Sequence, residues 1–83
     1  MTWNYRVLEE VKDGVSFFRI VEVYYDDQSN FYGFKVSSAD ILVWDNFTDL
    51  KGTYEKIRPA FDKPVLRRDE NGFPYDTGRK MAV

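Results

Sequence analysis

Apolar and polar residues alternate through the first third of the chain. The pattern is densest over Phe17 to Tyr25, Phe-Phe-Arg-Ile-Val-Glu-Val-Tyr-Tyr, whose β-branched and aromatic residues predict the central strand of a sheet. Trp3 to Val11 predicts the strand before it. Between the two lies Asp13-Gly14, the pair a two-residue type I′ hairpin prefers because both central residues need positive φ. That turn sets a register in which Lys12 faces Val15, Val7 faces Ile20, Tyr5 faces Glu22 and Trp3 faces Tyr24. One face then carries Trp3, Tyr5, Val7, Phe18, Ile20 and Tyr24. The opposite face is mixed, with Arg6, Leu8, Phe17, Arg19, Val21, Val23 and Tyr25. Asp26 to Asn30 holds only polar turn-formers and predicts a hairpin loop into a third strand, Phe31 to Val36. Pairing Tyr25 with Phe31 assigns Tyr32, Phe34 and Val36 to the aromatic face, and Phe31, Gly33 and Lys35 to the mixed one.

The period then changes. Ser37 to Asp40 is a polar break, and Ile41 to Trp44 is a short apolar run expected to be extended as a fourth, edge strand. Asn46 is placed to cap a helix with Asp49 three residues on. Phe47, Leu50, Tyr54, Ile57 and Phe61 recur at helical spacing and predict an amphipathic helix whose apolar row lies on the aromatic face of the sheet. Gly52 weakens that helix by about 1 kcal/mol against alanine, and Pro59 predicts its end or a kink near Arg58. Lys63-Pro64-Val65-Leu66 leaves it in extended form. The expected fold class is α+β: an antiparallel three- to four-stranded β-meander with one amphipathic helix packed on its aromatic face. Residues 1–66 form the expected domain, and residues 67–83 a polar, mobile C-terminal tail.

Composition narrows the chemistry. With 83 residues the chain supports one modest core, enlarged by 7 Phe, 6 Tyr and 2 Trp. It has no cysteine and no histidine, which excludes disulfides, thiolate nucleophiles, Ser-His-Asp and Cys-His arrangements, and Cys/His zinc sites. No cofactor is implied. The start, Met-Thr-Trp-Asn-Tyr-Arg, has no apolar signal core, and no apolar run approaches a membrane span, so the expected location is the cytoplasm. A net charge of −2 argues against nucleic acid as the main partner. Its distribution is uneven: residues 1–61 carry −3 and residues 62–83 carry +1.

Several segments carry a resemblance: Trp3-Asn4-Tyr5-Arg6-Val7 at the start, Glu22-Val23-Tyr24-Tyr25-Asp26 at the end of the second strand, a Gly33-aromatic pair, and Lys63-Pro64-Val65-Leu66 after the helix. In these the chain resembles a family of small uncharacterised bacterial proteins. The resemblance implies no activity, cofactor or partner.

Glu22 is the sharpest candidate for chemistry. The register sets its carboxylate on the aromatic face between Tyr5 and Phe34, where an ionised group needs a hydrogen bond, a proton or an opening to solvent. Tyr5, Tyr24 and Trp3 would line a small-ligand or minor catalytic site around it. The plainer account is a structural pairing with the Tyr5 or Tyr54 hydroxyl, with Lys51 or Arg58 from the helix, or a place at the sheet's open end. Asp26, Asp27 and Asn30 offer clustered oxygens for a hard cation but lack a closing bidentate glutamate, so a solvated loop is the simpler account. On the mixed face, Arg6, Arg19, Val21, Val23, Tyr25 and Phe31 suggest three covers: this chain's own tail, another protein or a second copy, or single-stranded nucleic acid stacked where Arg6, Arg19 and Lys35 stand beside Phe17, Tyr25 and Phe31. Arg67-Arg68 and Arg79-Lys80 read as part of a solvated tail. The expectation is a non-enzymatic protein-interaction module acting through the mixed face or an exposed edge strand. Its alternatives are the small-ligand site at Glu22 and, third, a nucleic-acid surface.

Overall fold

The computed structural model describes residues 2–36 and 42–81. Three strands come first, β1 (Thr2–Lys12), β2 (Val15–Tyr25) and β3 (Phe31–Val36). Helix α1 (Phe47–Ile57) and a 3-10 turn (Arg58–Asp62) follow, then the short strands β4 (Leu66–Arg68) and β5 (Pro74–Asp76). The sheet order is β3-β2-β1-β4-β5, with β1 and β4 parallel and the other pairs antiparallel. The result is a five-stranded mixed sheet curled into a half-barrel, more strands than the predicted meander and no longer purely antiparallel.

The first hairpin follows its local chemistry. Asp13 and Gly14 both take positive φ, 54° and 79°, and every predicted β1–β2 pair is made, from Lys12 with Val15 to Trp3 with Tyr24. The second hairpin departs from expectation by one residue. Tyr25 pairs with Phe31, but Tyr24 pairs with Gly33, so Tyr32 is a β-bulge. Because side chains alternate with period two, that one extra residue exchanges the faces beyond it. Phe34 and Val36 join Val23 and Val21 on the mixed face, and Lys35, not Phe34, lies opposite Glu22.

The mixed face is the concave, better buried one. Leu8, Val21, Val23 and Leu66 are fully buried there, with Tyr25, Phe31 and Phe34 packed against them. Phe73, in the β4–β5 turn, meets Phe34 edge-on at 6.3 Å, which draws the two sheet edges towards each other.

The segment expected to be a mobile tail supplies this closure. Arg6, 5% exposed, donates to the Pro64 carbonyl (2.7 Å), to Asp76 (3.0 Å) and to the Tyr25 hydroxyl (3.2 Å), and Tyr25 donates on to Asn4. Burial pushes the Asp76 carboxyl up, but the Gly78 amide and the Arg6 guanidinium outweigh it and hold the pKa below the usual carboxylate range. Leu8 pairs with Leu66 in parallel, so Glu9 and Glu10 run beside Arg67 and Arg68. Glu10 binds Arg68 (2.6 Å) and Arg19 (3.1 Å), while Glu9 binds Arg67 (3.6 Å) and Arg79. Alternation puts one stitch on each side of the sheet.

Helix α1 begins as predicted, with the Asn46 side chain accepting from the Asp49 amide at 2.8 Å, and it gives way to the 3-10 turn at Arg58 beside Pro59. It is rotated from the predicted orientation. Thr53, Ile57 and Ala60 point inward, whereas Phe47, Tyr54 and Phe61 stay exposed at 79%, 54% and 57%. Small residues on the inward row let the helix lie close over β1, where Val7, Ala60 and Val65 form a second cluster with Tyr5 and Ile20. Leu42 to Trp44 belong to no strand, so they are not the predicted edge strand; Ile41 and the break Ser37 to Asp40 lie outside the described residues.

Candidate functional site

The structure covers the centre of the mixed face and leaves its Phe17 and Arg19 end half-exposed. Arg6, Val21 and Val23 are buried, Tyr25 and Phe31 pack against the concave core, and Arg19 is held by Glu10 above the Phe17 ring at 5.5 Å. The cover is the chain's own β4–β5 hairpin. Lys35 lies on the opposite face from Arg6 and Arg19, so the three cations expected to share one face do not. In the β2–β3 loop the Asp26 carboxylate accepts from the amides of Asn30 and Gln28, both at 2.9 Å, and those bonds hold its pKa below the ordinary value. That oxygen organises the turn. Among the described residues no group of three or more His, Cys, Asp and Glu side chains is arranged to hold a metal ion.

The residues predicted around Glu22 do come together, on the side of the sheet that carries the helix. Tyr5 faces Glu22 and Trp3 faces Tyr24 across the β1–β2 pair. Trp3 meets Tyr5 edge-on at 5.1 Å, and the Tyr24 hydroxyl donates to Glu22 at 3.4 Å. Burial, then the Glu22 charge, raises the pKa of both phenols above the ordinary tyrosine value. The predicted setting of the carboxylate is corrected: helix α1 lies over β1 and leaves this part of β2 open, so Glu22 is half-exposed beside Lys35 and two phenols rather than enclosed by rings.

A cleft continues from this shelf between β1 and α1. Trp3, Tyr5 and Trp44 line it with Thr48, Gly52, Thr53 and Lys56 of the helix, as an open groove of about 540 Å³. That volume lies within the range of small-ligand sites, roughly 300 to 1,000 Å³. Trp3 and Trp44 are 43% and 50% exposed, so solvent reaches both indoles. The Lys56 ammonium lies 5.9 Å from the Trp3 ring centroid. Asp49 also lines the cleft, but its carboxylate accepts from the Asn46 side chain at 2.7 Å and serves the helix cap.

Gly52 is the unusual member of this wall. A glycine inside a helix costs about 1 kcal/mol against alanine. A Cβ built at Gly52 would meet nothing within 4 Å, so neither packing nor a close backbone approach calls for glycine here. Gly52 therefore lines the cleft without a side chain.

Sequence reasoning brings Trp3, Tyr5, Tyr24 and Glu22 to one surface and does not place Trp44, Thr48 or Lys56 beside Trp3 and Tyr5. Trp44 lies in the run whose apolar character predicts a strand. Thr48 and Lys56 lie off the apolar row by which the helix was recognised; the only available signal was Gly52, a helix-weakening residue between them.

No family model matches the chain, and no curated protein or solved structure is significantly similar to it. Among the described residues no helix is long and apolar enough to cross a membrane.

Proposed function

We propose that this chain is a non-enzymatic binding module that takes a small ring-bearing ligand in the cleft between α1 and β1. The observation that carries this reading is Gly52, a residue that weakens its helix and whose omission of a side chain serves no packing contact. Around it stand the groups such a ligand uses: two indoles and a phenol for stacking, with a hydroxyl and an ammonium to orient it. No histidine or cysteine is present for nucleophilic or acid–base work, and Glu22 lies outside the cleft wall, so binding rather than turnover fits the side chains available.

Both tryptophans of the protein border this cleft, so their indole N–H signals in nitrogen–proton correlation spectra report on it directly. A screen of flat aromatic and sugar-ring compounds is expected to shift both signals together, and Gly52→Leu to abolish the shifts. Equal binding by Gly52→Leu and the parent would overturn the assignment.

One observation favours a second reading. The outer edge of β3 has no strand partner among the described residues, and Tyr32 at its bulge is 66% exposed. Pairing of that edge with a second copy would retain the expected protein-interaction role. It predicts concentration-dependent sedimentation, and a monomer at every attainable concentration removes it.

A further inference from the structure

We infer that the β4–β5 hairpin is a strap, held across β1 by ion pairs, that salt releases ahead of the rest of the fold. Ion pairs gather on this one seam: Arg6 with Asp76, Glu9 with Arg67 and Arg79, and Glu10 with Arg68 all join β1 to the hairpin or its base. Outside the β2–β3 loop, Arg19 with Glu10 is the one ion pair among the described residues that does not cross it. The ladder at the seam is slight by comparison. β4 pairs with β1 only at Leu66 and Leu8, whereas β2 pairs with β1 along its whole length, from Tyr25 with Thr2 to Val15 with Lys12.

Counterions reach the seam, since the side chains of Arg67, Arg68 and Arg79 are 43%, 36% and 52% exposed. The screening length falls from about 30 Å at 0.01 M salt to about 3 Å at 1 M, so these pairs weaken as salt rises. Apolar burial carries no charge to screen, and the β1–β2 ladder with its helix-side cluster of Val7, Ala60 and Val65 is spared. A two-stranded hairpin is marginal on its own in water, so the released strap also loses its internal backbone bonds. Beneath it lie Leu8, Val21 and Val23, which its departure turns from a covered core into an open apolar trough.

Amide hydrogen exchange of the full chain, compared between about 20 mM and about 500 mM sodium chloride, reads the release residue by residue. The Asp69 and Thr77 amides, which donate to the Phe73 and Val65 carbonyls, report on the hairpin and its base. They are expected to exchange about tenfold faster at the higher salt, the scale of two or three partly exposed ion pairs weakened together, while the β1–β2 ladder amides keep their rates. Glu9→Gln combined with Glu10→Gln should bring the same acceleration at low salt and flatten the salt response. The ladder amides in the same spectra show whether that variant is folded, and should it unfold, the salt series on the parent decides alone. Equal acceleration of hairpin and ladder amides would mean that salt acts on the whole fold and would overturn the strap. No acceleration of either would overturn it too, leaving Leu66 and Phe73 rather than charge to hold the hairpin down.

Discussion

Replacing Gly52 separates stability from binding, because the two should move in opposite directions. Gly52 is the sixth residue of the 11-residue helix Phe47–Ile57, it is exposed, and a Cβ there would touch nothing within 4 Å. Its φ is not among the positive values of this chain, so alanine fits the backbone without strain. The expected gain for Gly52→Ala is therefore the full difference in helix propensity, about 0.8 to 1.0 kcal/mol. For a domain of this size that raises the melting temperature by about 4 to 8 °C. Gly52→Leu should gain nearly as much, since leucine ranks next to alanine in propensity, but it adds a branched side chain to the wall of the groove that Trp3 and Trp44 also line. Urea denaturation should show a higher midpoint for both variants with an unchanged slope. Titration with indole should show little loss for alanine and at least about a tenfold loss for leucine, which corresponds to about 1.4 kcal/mol. A lower midpoint for Gly52→Ala would mean that glycine is needed for packing after all, and the reasoning that makes it a functional feature would fail. A higher midpoint with full binding by Gly52→Leu would leave the helix argument intact and dismiss the cleft.

Three further outcomes test the fold beneath the site. Arg6→Met removes donors to Pro64, Asp76 and Tyr25; because Asp76 is 43% exposed and regains water, the expected loss is about 2 to 4 kcal/mol by urea denaturation, and a loss below 1 kcal/mol would mean the β4–β5 hairpin is held by other contacts. Val23→Asp places a charge at a fully buried position in the concave core, so circular dichroism should show an unfolded chain; a folded variant would contradict the burial of the mixed face. Tyr5 and Tyr24 have raised folded-state pKa values, so their contribution to stability is complete below the ordinary tyrosine value of about 10 and is lost as pH rises through the folded values. Phenolate absorbance should show these two titrating late. Glu22→Gln should move them only part of the way back, since burial is the larger cause; no movement at all would remove Glu22 from the shelf.

Much of the local structure was legible from short-range chemistry. Asp13-Gly14 admits few turns, and the alternation on either side of it has one register that keeps Val7 and Ile20 on the helix side, so β1 and β2 followed directly. Asn46 and Pro59 marked the helix ends for equally local reasons. The same logic brought Trp3, Tyr5, Tyr24 and Glu22 to one surface before any coordinates.

Tertiary structure decided which face became the core. The bulge at Tyr32 is a single unpaired residue that no periodicity reveals, yet it moved Phe34 and Val36 to the concave side. The parallel contact of Leu8 with Leu66 joins segments 58 residues apart, and only after that pairing do Glu9-Glu10 and Arg67-Arg68 stand beside one another. Composition, seeing charged residues after Arg67, had no means of finding partners so distant in sequence. Rotation of α1 likewise depended on Thr53 and Ala60 allowing a close approach to β1, a matter of volume against a particular surface. Turns and caps are set within about five residues and can be read from the chain alone; choice of face and closure of the half-barrel depend on contacts that exist only once distant strands have met.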